Sequence, residues 1–184
     1  MVLLCALCHP PQSTPDAIGK PVVLQKGEGE LRTRRPREGV ASPSSDFLLK
    51  IGPKTSGSKH LLLFTEEIPP GAAIPKHKHH GEDEILLIQT GSAQVRLGDR
   101  EYDAPAGALV FIPSETWISL KNTSKENISL VSIWNEPDFE EMLRCGSVPK
   151  GQVAPPLSRD GVKECYHHGD AELETVQPSV DKKP

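Results

Sequence analysis

Residues 71–91 read GAAIPKHKHHGEDEILLIQTG, with three histidines in four positions followed by acids and then aliphatics. His77 and His79 are two residues apart, so on a strand they share a face, while Lys76, Lys78 and His80 take the other. After the break at His80-Gly81 the chain resumes as EDEILLI, and a strand pairing back would let Glu84 face the two rings. Two imidazoles and one carboxylate make a three-ligand set that leaves positions open on a metal. Such a set suits non-haem iron and dioxygen chemistry, and also the His-His-Glu type of catalytic zinc site. The competing reading is a solvated loop in which these groups simply face water.

The residues around this stretch must position it. From residue 46 onward, DFLLKI, HLLLFTEEI, DEILLIQT, SAQVRLG, REYDA, ALVFIP, TWISLKN and ISLVSIW are short apolar or alternating runs. Turn chemistry separates them, including GPKTSGS, PPG, HHG, TG, GD and PAG. Short strands at regular spacing, broken by Gly and Pro, indicate an all-β sandwich or barrel. The chain has 184 residues, with 18 prolines, 15 glycines and 4% aromatics, which fits many short elements better than a helical bundle. One helix is expected after Pro137, over DFEEMLRC, with Asp138 as its cap and Arg144 near its end. The organisation expected is a partly irregular N-terminal arm over 1–45, a barrel over 46–136, and a short helix with a polar tail over 137–184.

These spacings carry a resemblance. Gly71, five residues, His77-x-His79, four residues, Glu84, six residues and Gly91 resemble the first signature of the cupin superfamily. Pro105-x-Gly107, the run ALVFIP ending at Pro113, and Asn122 resemble the second. The resemblance implies a double-stranded β-helix, or jelly-roll barrel, holding one divalent metal ion at His77, His79 and Glu84. Iron, manganese, zinc, nickel and copper are all compatible with it. The family also implies a small-molecule ligand and dioxygenase, isomerase, decarboxylase or lyase chemistry, among which the fold does not choose. We expect a pocket lined by Leu86, Ile88, Phe111, Trp117 and Ile118. One departure stands out: the histidine usual in the second signature falls at Ile118, in PSETWISLKN. Either three ligands suffice, or a side chain such as His60 or Glu115 substitutes, or the barrel binds its ligand without metal. Three ligands leave room for substrate and oxygen together, which favours oxygenase-type chemistry. The alternative is a non-catalytic binding module for a small molecule or sugar.

Other features bound the function. The net charge of -4 does not indicate nucleic-acid binding, and no apolar run is long enough for a membrane span. The opening MVLLCALCHPPQSTP lacks the basic start of a secretory signal, so a cytoplasmic chain is expected, with export of a truncated signal as the alternative. Cys5, Cys8 and His9 spell the haem-attachment pattern, but they lie in an apolar leader, where no haem pocket is expected. Cys145 and Cys165 are distant in sequence, and a bond between them needs an oxidising compartment. LRTRRPREG gathers Arg32, Arg34, Arg35 and Arg37, as a solvated edge or an anion-binding arm. Glu82 and Asp83 read as hairpin acids, with support of a ligand by Glu82, which shares the phase of Glu84, as the alternative. Asn122-Thr-Ser matches a glycan acceptor triplet. The apolar runs LLKI and HLLLF are expected to close sheet edges in a homodimer.

Overall fold

The computed structural model describes residues 19–40 and 45–174. Strand β1 (Glu30–Arg34) comes from the arm, followed by β2 (Asp46–Ile51), β3 (Leu62–Ile68), β4 (Ala73–His79), β5 (Glu84–Thr90) and β6 (Ser92–Leu97). Then come β7 (Arg100–Pro105), β8 (Leu109–Ile112), β9 (Ile118–Asn122) and β10 (Ile128–Trp134). The C-terminal part holds α1 (Phe139–Cys145), β11 (Ser147–Pro149), α2 (Arg159–His168) and β12 (Ala171–Leu173). A seven-stranded sheet has the order β11-β1-β2-β3-β10-β5-β8, and a five-stranded sheet β12-β4-β9-β6-β7. The paired strands are antiparallel, and the two sheets form the jelly roll expected of a cupin.

Alternation writes this fold. In β3 and β5 every second residue is buried, so Leu62, Phe64, Glu66 and Ile68 face inward, as do Glu84, Leu86 and Ile88. Leu120 and Val95 answer them from the other sheet. Phe47, Phe64 and Trp134 form a ring stack in this core, with centroids 5.6 and 5.1 Å apart. The turn between β5 and β6 depends on Gly91, whose φ is 80° and whose hypothetical Cβ would lie 2.9 Å from the Asn127 carbonyl. Any other residue there meets both a left-handed backbone and a backbone clash.

Several expectations need correction. The strands carrying LLKI and HLLLF are internal, because β1 covers β2 and β10 covers β3; the edges of that sheet are β11 and β8. Within the arm, β1 pairs with β2 and β11, and its Arg32 is buried with bonds to the Ser147 hydroxyl (2.7 Å) and carbonyl (3.0 Å). Asp138 has helical dihedrals and makes no side-chain capping bond. The tail folds further than its polar composition promises. Ser158 caps α2 by accepting from the Gly161 amide at 3.1 Å, and Val162, Cys165 and Tyr166 give α2 a buried stripe at helical spacing. That stripe is only three residues long, and Gly161 sits in the first turn before it, which hides the helix in the sequence. Cys145 and Cys165 are joined by a disulfide that ties α1 to α2. Asn122 is buried, its amide donating to the Ile68 and Glu126 carbonyls at 2.8 and 2.7 Å, so it is a turn anchor with no room for a glycan. The Cys5, Cys8 and His9 motif lies outside the described residues.

The bond closes a segment of sequence separation 20, for which loop closure is worth about 3 kcal/mol. Replacing both cysteines by serine is expected to lower the denaturant midpoint accordingly. An unchanged midpoint would show that the bond contributes nothing in solution.

Candidate metal centre

The two sheets each supply part of the site. His77 and His79 alternate along β4 in the five-stranded sheet and both point inward, 4% and 1% exposed. Glu84 opens β5 in the seven-stranded sheet, paired on either side with Trp134 and Ile112, and is 4% exposed. One ligand atom from each of His77, His79 and Glu84 lies within 4.8 Å of the others. The Nδ1 of His77 is 2.8 Å from the Pro75 carbonyl. It therefore carries the proton and donates, which leaves Nε2 with a lone pair for a ligand. His79 presents Nε2 to Glu84 at 3.5 Å and Nδ1 to Glu82 at 3.4 Å. Glu82 thus sits behind His79, in the position of an outer carboxylate that orients a metal-bound imidazole.

Burial and charge pull the two histidines apart. Burial, aided by the neighbouring His79 charge, pushes His77 down to about 3, so it is neutral. Burial also works against protonation of His79, but the Glu82 and Glu84 carboxylates outweigh it and hold that ring up at about 9. Burial raises Glu82 above the usual carboxylate range. The 3.4 and 3.5 Å contacts attract as charges but do not qualify as hydrogen bonds. Among the described residues, both nitrogens of His79 and both oxygens of Glu82 are buried with no hydrogen-bond partner. Orphaned groups of this kind are costly. A cation between His77, His79 and Glu84 would satisfy His79 Nε2 and leave Nδ1–H to Glu82, so the donor set fits a divalent metal.

Aromatic rings wall this cluster. Phe139 of α1 lies edge-on to His79 at 4.4 Å, and Tyr166 of α2 lies 5.4 Å from His77. Burial lifts the Tyr166 phenol to about 12, so it remains protonated. A cavity of about 120 Å³ opens beside the cluster, with His77, Glu84, Leu86 and Ile118 in its lining.

The structure sorts the remaining sequence expectations. Ile118 pairs directly with His77, so the place of a fourth ligand is held by an aliphatic side chain. His60 and Glu115 are exposed, and Glu115 binds Lys78 and His80 at 3.0 and 2.7 Å. Neither supplies a ligand. Leu86 and Ile118 line the cavity, but Ile88 is sealed in the core away from it. Phe111 is 53% exposed on the outer side of β8. Trp117 is half-buried outside the barrel, beneath the ammonium groups of Lys76 and Lys78 at 5.5 and 5.4 Å. Sequence reasoning missed Phe139, Tyr166, Ser132 and Trp134, which line the cavity. The two-residue phase of ISLVSIW places Ser132 and Trp134 on one face, whereas nothing local marks Phe139 or Tyr166.

Known proteins support the same picture. The family model described as the cupin domain matches residues 64–134. An oxalate-binding protein from Thermotoga maritima is 28% identical over 76 residues, covering 41% of this chain and 63% of that protein. A tricorn protease homolog from Streptomyces coelicolor is 27% identical over 84 residues, covering 46% of this chain and 8% of that protein. The chain therefore spans less than two thirds of either relative. A crystal structure of a predicted oxalate decarboxylase from Thermotoga maritima superposes with a TM-score of 0.55 at 21% identity, covering 62% of this chain and 99% of that one. That last likeness speaks to the fold.

A consequence for stability follows from His79. Its folded value of about 9 exceeds the ordinary 6.5. In metal-free protein its stabilisation is fully present below the unfolded value and is lost as pH rises through about 9. Urea titrations of chelator-treated protein from neutral to alkaline pH should lose on the order of 3 kcal/mol over that window. Glu82→Gln should flatten the profile; an identical profile in that variant would remove Glu82 from the account.

Proposed function

We propose that this chain, whose residues 64–134 are a cupin domain, holds one divalent metal ion at His77, His79 and Glu84 and acts on a small oxygenated molecule. The observation that carries this reading is the buried convergence of three ligand atoms around an imidazole whose nitrogens have no other partner. The ion would supply Lewis acidity, or dioxygen activation if it is iron. His77 is held in its ligating tautomer by Pro75, and His79 is oriented by Glu82. Leu86, Ile118 and Phe139 keep water from the site. A three-ligand shell leaves adjacent positions for two ligand oxygens, which favours an oxygenase-type enzyme. The name of the oxalate-binding relative supports a small oxygen-rich ligand. The aliphatic Ile118 opposite His77 favours a second reading, a binding module without turnover.

Metal analysis decides the first point. Protein purified without chelators, then soaked with iron, manganese, zinc, nickel or copper, is expected to retain close to one ion per chain. His77→Ala with His79→Ala should abolish retention. Retention undiminished in that variant, or none in the wild type, would end the metal reading.

The compartment also belongs here. No helix among the described residues is long and apolar enough to cross a membrane. The Cys145–Cys165 bond favours the exported alternative over the cytoplasm.

A homodimer is proposed through the outer face of the seven-stranded sheet, not through its edges. Register aligns Leu31, Leu48, Thr65, Val131, Leu87 and Leu109 in one row across six strands. Leu63, Ile133, Ile85 and Phe111 form a second row beside it. Six strands at about 4.8 Å spacing give a strip roughly 25 Å wide, a dimension in keeping with an interface of about 800 Å² per partner. A flat face of this kind is self-complementary about a two-fold axis. Light scattering should give a dimer mass, and Val131→Glu should give a monomer. A monomeric wild type would refute the interface.

A further inference from the structure

We propose that the molecule taken up by the cavity is a small organic carboxylate and that Arg37 is the residue that meets its charge. The inference deepens the metal-site reading, on which it rests for the other end of the ligand. Arg34, Arg35 and Arg37 all line the cavity. Arg34 is committed: its guanidinium forks onto Glu66 with two 2.7 Å bonds, beneath a third bond from Ser45 to the same carboxylate. It also lies 4.9 Å over the Phe47 ring. Arg35 is committed to the Pro155 carbonyl, at 3.0 and 3.3 Å. Among the described residues, the Arg37 side chain makes no ion pair and no hydrogen bond.

Arg37 is nevertheless fixed in place. Its backbone bridges Leu157, the Leu157 amide donates to the Pro36 carbonyl at 2.8 Å, and the Glu38 amide donates to the Leu157 carbonyl at 2.9 Å. The arginine is therefore carried on a pinned segment at the cavity wall, with only its guanidinium uncommitted. Its charge reaches the Tyr166 phenol, which also feels Glu84. Tyr166 in turn lies 5.4 Å from the His77 ring. Glu66 cancels Arg34, and Glu82 and Glu84 would cancel the two charges of an ion. Two guanidinium charges then remain, and of these Arg35 is held by the Pro155 carbonyl. Arg37 is left over, half-buried beside an apolar wall of Leu86, Ile118 and Leu120. A neutral ligand would leave it unmatched, whereas a carboxylate accepts the guanidinium fork in two parallel bonds. The distribution fits a ligand with one oxygen group toward His77 and Glu84 and a carboxylate toward Arg37.

Malonate and its neutral diamide, malonamide, are suitable probes, measured by titration calorimetry on metal-loaded and chelator-treated protein. Malonate is expected to bind wild type and malonamide not. Arg37→Gln should weaken malonate on the order of tenfold or more, with metal content and melting temperature unchanged, and Arg37→Lys should recover part of the loss. Equal binding of the two probes, equal malonate affinity in Arg37→Gln, or no malonate binding by wild type in either form would overturn the proposal. If wild type takes up no metal, the metal reading fails separately. The Arg37 assignment then stands or falls on whether Arg37→Gln weakens malonate in the metal-free protein.

Discussion

The rest of the structure turns on the electrostatics of one imidazole. His79 lies between Glu82 and Glu84 in an interior that water does not reach, and neither contact is short enough to be a hydrogen bond. Two buried carboxylates require positive charge. A proton on His79 provides part of it, and a divalent cation would provide all of it. The fold is arranged to keep that imbalance in place. One sheet contributes both histidines and the other contributes Glu84, so the packing of the two sheets sets the distance between ligands. Rings of Phe139, Tyr166 and Trp134 then exclude the solvent that would otherwise relieve the charge.

The segments outside the cupin domain complete the lining of the cavity. Arg34, Arg35 and Arg37 come from the arm, while Leu157, Val162, Cys165 and Tyr166 come from the C-terminal part. The arm is fastened by the Arg32 bonds to Ser147 and by the Glu30–Arg144 pair at 2.8 Å, whose two guanidinium partners hold the Glu30 carboxyl down at about 2. Much of the cavity wall therefore belongs to parts of the sequence that carry no family signature. The barrel provides the His77, His79 and Glu84 cluster, and the two flanking segments provide the cavity's cationic and aromatic walls.

This division explains what could be read from the sequence. All eight apolar runs from DFLLKI to ISLVSIW became strands, because alternation of buried and exposed positions is a local property. The clustering of the three candidate ligands was legible for the same reason: His77 and His79 share a strand phase, and Glu84 follows at a family spacing. Phe111 misled because hydrophobic type was taken for burial, while β8 is an edge strand whose outward residues are apolar. Trp117 follows the signature proline Pro113 closely in sequence, yet its ring lies outside the barrel under two lysines. The polar tail concealed α2, since its stability comes from packing, a cap and a covalent tie. Arg37 differs from Arg34 and Arg35 only in what surrounds it, which no linear reading supplies.

The ligand-bearing strand β4 is hydrogen-bonded on both flanks, to β9 on one side and on the other to β12, where Ala171 faces His79 and Leu173 faces His77. A fragment trimmed to residues 64–134 would strip β4 of one neighbour and bare a row of unpaired amides beside the two imidazoles. It would also uncover the rings that Phe139 and Tyr166 shelter. The sequence-recognisable unit and the smallest self-sufficient folding unit are thus different lengths of chain, and the second reaches from the arm to β12.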